Sequence, residues 1–378
     1  MHLDQLPKPV FVSQPAALQE MVRDLSDHAI IAVDTEANSL YAYYERVCLI
    51  QFSTPETDYL VDTFAFDDLS SLAPIFANPD IEKIFHAAEY DVLILRREFD
   101  FSFARIFDTM VAARILGWES VGLGALLESE FKIRVNKKYQ RANWGLRPIP
   151  QEMLTYAQVD THFLIALRNQ LKTALKAKGL WHLALEDFNR SCHPNGQQER
   201  TPIEQCWRIK GMRDLGPQQL AVLRELCFFR DREAQKVDRP LFKVISNKAL
   251  IEAATTWPST LDEVQAVHGI SPRQARRIGR GILAAVQRGK KADPPRPQRN
   301  ARPNGNHLDR IDRLRRWRKN HARNLGVQSD IILPKDILNK IAAENPRSTQ
   351  SLAGVMSTVP WRYQEYGAEI LKQIRATK

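Results

Sequence analysis

With 378 residues, 44% of them hydrophobic and 26% charged, the chain has an ordinary globular composition and length for two or three domains with cores of their own. No apolar run approaches the length of a bilayer span, and the segment from Met1 to Phe11 carries acid and proline before any basic cluster, which excludes a secretion signal from the reading. The net charge of +10 is unevenly placed: residues 1–200 hold 20 Lys+Arg against 27 Asp+Glu, a net −7, and residues 201–378 hold 34 against 17, a net +17. An acidic half joined to a basic half suggests a catalytic or metal-binding region attached to a polyanion-binding region, although basic surfaces also serve solubility alone. Cys48, Cys192, Cys206 and Cys227 show neither a Cys-x-x-Cys spacing nor a zinc-finger histidine partner. Reduced thiols in a cytoplasmic protein are therefore expected.

In chain order, Ala29–Thr35 is a near-continuous apolar run ending in acids and predicts a central strand. Val47–Ser53 and Tyr59–Asp62 predict two more strands, with gaps short enough for a meander. Lys83–His86 predicts a fourth strand, Tyr90–Phe99 a helix, and Arg105–Phe107 a fifth strand. Gln151–Lys178 reads as one long helix, opened by Pro150 and closed at Gly179. This order predicts an α/β domain with a mixed sheet flanked by helices.

Strand signals then stop. The polar stretch Asn189–Thr201 marks a domain boundary, and Gln287–His307 is a basic, proline-rich linker. The segments after these two boundaries resemble each other. Asn247-Lys-Ala-Leu-Ile-Glu-Ala-Ala, ending at Trp257-Pro, matches Asp336-Ile-Leu-Asn-Lys-Ile-Ala-Ala, ending at Asn345-Pro. Gly279-x-x-Ile282-Leu283 matches Gly367-x-x-Ile370-Leu371 in the same way. A tandem of two small helical domains is expected.

Three features are able to carry chemistry. Asp34 and Glu36 alternate at the end of the first strand and so share a face. Two such carboxylates repel each other unless a cation lies between them, though a polar strand end facing water reads the same way. Tyr156 and Asp160 are one helical turn apart, where a core tyrosine beside a surface aspartate is the plainer reading. Asp91 opens the helix after His86-Ala-Ala-Glu89-Tyr-Asp91, where it also serves the helix dipole.

In this order the three features resemble the DEDDy 3′→5′ exonucleases, with Asp34, Glu36, Asp91 and Asp160 as the acids and Tyr156 as the tyrosine. Their contexts are similar to the ribonuclease D family, notably Asp160-Thr-His-Phe-Leu164, Trp144-Gly-Leu-Arg147-Pro148 and Trp207-Arg-Ile-Lys-Gly211. The repeats resemble HRDC domains, small helical nucleic-acid-binding modules, the first more closely than the second. The resemblance implies a ribonuclease-H-like exonuclease domain over residues 1–195, HRDC-type domains over 205–290 and 308–378, and a linker over 291–307. It also implies removal of nucleotides from RNA 3′ ends, transfer-RNA precursors being the substrate class, by a monomer that does not engage membranes.

Two Mg²⁺ or Mn²⁺ ions supplying a nucleophile and leaving-group stabilisation would suit oxygen-only ligands. In the resemblance Asp34 bridges the two ions, Glu36 and Asp160 sit on the nucleophile side, and Asp91 holds the second ion. Tyr156 is too weak a base and orients water instead. His86, Trp144 and Arg147 are candidates for substrate contacts near the scissile bond, and Arg315, Arg316 and Trp317 for RNA contacts further along. The alternatives are a DNA 3′→5′ exonuclease or an inactive nucleic-acid-binding protein.

Overall fold

The computed structural model describes residues 6–194, 201–295 and 305–375. Of the expected linker, 296–304 lie outside them, while 305–307 are already helical. Contacts gather the described chain into two bodies: residues 6–37, 47–194 and 305–375 in one, and 38–46 with 201–295 in the other.

The first body is built on a six-stranded mixed sheet of β1 (Val10–Val12), β2 (Ile30–Ala37), β3 (Val47–Ser53), β4 (Asp58–Asp62), β5 (Glu82–Phe85) and β6 (Ile106–Asp108), in the order β1-β4-β3-β2-β5-β6. β2, β3 and β4 form the antiparallel meander, and β5 and β6 extend it in parallel on the other side of β2. β3, buried along its whole length, is apolar with Gln51 and Ser53 as its polar exceptions. Helices cover the sheet: α1 (Pro15–Asp27), α2 (Ala73–Ala77), α3 (Glu89–Phe99), α4 (Thr109–Ile115), α5 (Leu123–Phe131), α6 (Gln151–His162), α7 (Leu164–Ala177) and α8 (Trp181–Ser191).

The single helix expected over 151–178 is in fact α6 and α7, broken at Phe163. Next to the break, the Ser53 hydroxyl gives its proton to Asp58 at 2.6 Å, and the Thr161 hydroxyl lies 2.8 Å from that Ser53 oxygen and 3.4 Å from the Gln158 carbonyl. A hydroxyl within reach of the helix's own carbonyls competes with the helical ladder. The Phe163 ring is meanwhile drawn into a cluster with Phe131, 5.7 Å between centroids.

The second body contains α9 (Pro202–Cys206), α10 (Pro217–Lys236), α11 (Leu241–Val244), α12 (Asn247–Thr256), α13 (Leu261–Ala266) and α14 (Pro272–Lys291). The rest of the chain, α15 (Gly305–Leu325), α16 (Ser329–Ile332), α17 (Lys335–Glu344), α18 (Thr349–Val355) and α19 (Pro360–Arg375), belongs to the first body. The internal repeat has a geometric counterpart. α12 ends on Trp257 at φ 53° and α17 on Asn345 at φ 50°, each a left-handed residue followed by proline.

The cysteine expectation is corrected. Cys206 and Cys227 are joined in a disulfide between α9 and α10, their Cα atoms 6.1 Å apart, while Cys48 and Cys192 are free and buried. The packing of α9 on α10 brings together two positions separated by 21 residues, which no local spacing pattern reveals. With it falls the argument from reduced thiols to a cytoplasmic location. Among the described residues no helix is long and apolar enough to cross a membrane.

Candidate active site

β2 carries Asp34 and Glu36 on one face, its register against β3 running from Asp34 opposite Gln51 to Glu36 opposite Leu49, with an irregularity immediately after. α6 packs across β2, β3 and β4 and presents Tyr156 and Asp160, one turn apart. One carboxylate oxygen from each of Asp34, Glu36 and Asp160 lies within 4.8 Å of the others. Asp91, in the first turn of α3, is not among these three. Its carboxylate accepts a hydrogen bond from the Thr35 hydroxyl, between the two β2 acids, and its charge acts on both of them.

The electrostatics follow from burial and from like charges. Burial first, then the charges of Asp91, Asp160 and Glu36, hold Asp34 well above the usual carboxylate range. Glu36 is raised by burial and by Asp160 and Asp91. Burial pushes Asp91 up to about 7 and Asp160 up to about 8. The Tyr156 phenol hydrogen-bonds to Asp160, and burial beside these acids raises it far above its ordinary range. Four carboxyls that resist ionisation together, offering only oxygen donors, are the set a hard divalent cation suits.

Polar contacts that sequence patterns do not single out hold this geometry. Asp108, fully buried at the end of β6, accepts the N–H groups of Ala87, Ala88, Met110 and Val111 at 2.8–3.1 Å. It caps α4 and also fixes the turn through Ala87, at φ 65°, that delivers Asp91. Asp58 on β4 accepts from Ser53, Gln158 and His162 at 2.6–2.8 Å and so pins the end of α6 just beyond Asp160. A single acid at a strand end gives no sign of either role.

The expected substrate contacts fare differently. Trp144 is 1% exposed and stands behind Tyr156 at 6.1 Å between ring centroids; it is a wall of the site and presents no stacking face. Arg147 spends its guanidinium on Asp62 (2.6 and 2.8 Å) and on the carbonyls of Trp144, Leu146 and Cys48, which leaves no donor for a phosphate. Trp317 is buried in the core of the C-terminal helices, its indole N–H donated to Glu369. Both tryptophans and the arginine are corrected on these grounds. His86 is half-buried against the Thr109 hydroxyl, and burial pulls it down to about 4, so the ring is neutral at pH 7. Arg315 and Arg316 are exposed on α15, each close to Asp312.

The chain matches the 3′-5′ exonuclease family over residues 9–176 and the HRDC domain over 219–286 and 307–374. It is 33% identical over 266 residues to the exosome complex exonuclease RRP6 of Saccharomyces cerevisiae, covering 66% of this chain and 36% of that protein. To ribonuclease D of Gluconacetobacter diazotrophicus it is 30% identical over 283 residues, covering 74% of this chain and 72% of that one. The crystal structure of Escherichia coli RNase D has the same fold, with a TM-score of 0.72 at 21% identity over 98% of this chain and 100% of that one. The fold and these matches define a 3′-5′ exonuclease domain carrying tandem HRDC domains. Within that class, the chain belongs to the ribonuclease D family. It spans 31–42% of the length of the RRP6-type relatives and 72–94% of the ribonuclease D relatives.

Proposed function

We propose that the chain is a metal-dependent 3′→5′ exoribonuclease that removes nucleotides one at a time from RNA 3′ ends and releases 5′-monophosphates, with transfer-RNA precursors as the substrate class. The observation that carries this reading is the convergence of Asp34, Glu36 and Asp160 beside Tyr156. Their relatives are named as a ribonuclease and as an exosome exonuclease, which favours RNA over DNA.

Asp34, Glu36 and Asp160 would hold a divalent cation, Mg²⁺ or Mn²⁺ by the hardness of the donors, with Asp91 serving a second. Such ions supply charge neutralisation at the phosphate and a nucleophile at neutral pH. Tyr156, held protonated by burial and by the acids around it, offers a hydroxyl that orients water and does not remove its proton. Thr35 aims Asp91 through its hydroxyl, and neutral His86, whose Nδ1–H donates to a Thr109 hydroxyl committed to the Phe85 carbonyl, keeps Nε2 to accept a hydrogen bond from substrate without adding charge.

The test is to incubate 3′-labelled RNA and DNA of one sequence with the full chain in Mg²⁺, Mn²⁺ or EDTA. Labelled mononucleotide should appear from RNA with either metal and vanish in EDTA. Equal rates on DNA would favour a DNA exonuclease, and no release from either substrate an inactive binding protein.

A further inference from the structure

We propose that the loop between β2 and β3, together with α11 of the first HRDC domain, forms a stacking platform for single-stranded RNA upstream of the 3′ end being cut. This rests on the exoribonuclease reading above. The loop, residues 38–46, belongs to the second body, and Tyr43 packs into the apolar cluster of that body. The Tyr43 hydroxyl donates to Asp231 at 2.8 Å and accepts from Gln235 at 3.0 Å. One carboxylate oxygen of Asp238 accepts the backbone N–H groups of Tyr43 and Tyr44 at 2.9 and 3.1 Å. The loop is thus fixed before any ligand arrives, and two acids of the region are occupied by it.

This anchoring leaves aromatic faces outward. Tyr44 is 59% exposed and stands edge-on to Tyr43 at 5.0 Å, and Phe242 on α11 is 54% exposed. Beside Phe242, the Lys243 ammonium lies 3.9 Å from the centre of the Tyr41 ring, and exposed Arg239 precedes α11. Exposed large apolar side chains grouped in one place mark a binding surface. Rings interleaved with cations fit a polyanion whose bases stack while its phosphates meet Lys and Arg. A protein partner would call for a continuous apolar centre with the charges displaced to its rim, and here the Lys243 ammonium sits on the Tyr41 ring itself. In the chain, the loop begins two residues after Glu36.

The experiment measures anisotropy of labelled oligo(U) of about 4 and about 16 nucleotides on the full chain in EDTA, where binding is read without cleavage. The variants are Tyr44→Leu, Tyr44→Phe and Phe242→Ala, whose exposed side chains should leave the unfolding midpoint unchanged. Tyr44→Leu and Phe242→Ala should each weaken the long oligonucleotide about tenfold and leave the short one unchanged, while Tyr44→Phe stays near wild type. Photo-crosslinks from 4-thiouridine should fall on the loop or on α11. Unchanged affinity for the long oligonucleotide, with crosslinks elsewhere, would overturn the platform and leave the patch to a partner other than RNA. A wild-type chain that binds RNA through these residues and does not cut it would refute the exonuclease reading alone.

Discussion

Each acid of the site depends on a neighbour that resists ionisation with it, so the roles of single residues separate cleanly only at Tyr156. Its hydroxyl contacts Asp160 and lies among the charges of Asp34 and Glu36. If it orients water, Tyr156→Phe should lower kcat by roughly 10²- to 10⁴-fold with KM nearly constant. Steady-state kinetics on a short RNA decide this, and a rise in KM at constant kcat would make Tyr156 a substrate contact. That Asp34 and Glu36 share one face and Tyr156 and Asp160 another is legible from strand and helix periods, while their joint role is implied only by the resemblance to the exonucleases. Trp144 and Arg147 are not legible in this way. A tryptophan or arginine has the same letter whether it turns to substrate or inward, and only the ion pair with Asp62 and the packing behind Tyr156 decide.

Among the elements, the three long strands are legible because hydrophobic runs bounded by polar residues are their signature. β1 is a run of only three, Val-Phe-Val, and its first two residues are exposed. The break between α6 and α7 leaves no local mark either, since Thr161 beside it meets Ser53 from another element. β5 carries a second cost of the fold. Lys83 is fully buried, its ammonium donating to the Asn78 carbonyl at 2.6 Å, and burial pulls it down to about 8.

A lysine lowered on folding binds its proton more weakly in the native state than in the unfolded chain. The penalty is therefore fully present below about pH 8, and stability is regained as pH rises from there towards the unfolded value. Lys83→Met should raise the urea midpoint at pH 7, and its advantage should shrink by pH 10. An advantage that is constant across this range would mean that folding does not lower the Lys83 ammonium from its ordinary range.

For the whole molecule, the charge split suggests an acidic catalytic half and a separate basic half, and the contacts divide the chain otherwise. The C-terminal helices α15–α19 pack with the exonuclease domain. Arg362 is fully buried between Glu186, Asp187 and the Ile331 carbonyl, while Arg114 pairs with Asp330 and Arg190 with Asp336. A fragment ending near Arg200 would leave buried Glu186 without its cation. Arg362→Met should destabilise the chain by about 3–5 kcal/mol, and adding Glu186→Leu should recover much of that loss. Denaturant unfolding of the single and double variants measures it; equal stability of Arg362→Met and wild type would make the packing incidental. Long-range pairings such as Glu186 with Arg362 leave no trace in local pattern, which is why the second repeat reads from sequence as a detached module.

The central claim is that the carboxylates around Asp34 carry the cleavage while RNA is held elsewhere. Asp34→Asn removes one charge from the cluster at nearly constant shape. Turnover of 3′-labelled RNA and its dissociation constant, measured on the same preparations of wild type and variant, test this most directly. Cleavage should fall to background while RNA affinity, supplied largely by Lys and Arg on phosphates, changes less than about threefold. Near-wild-type turnover in Asp34→Asn would contradict the account.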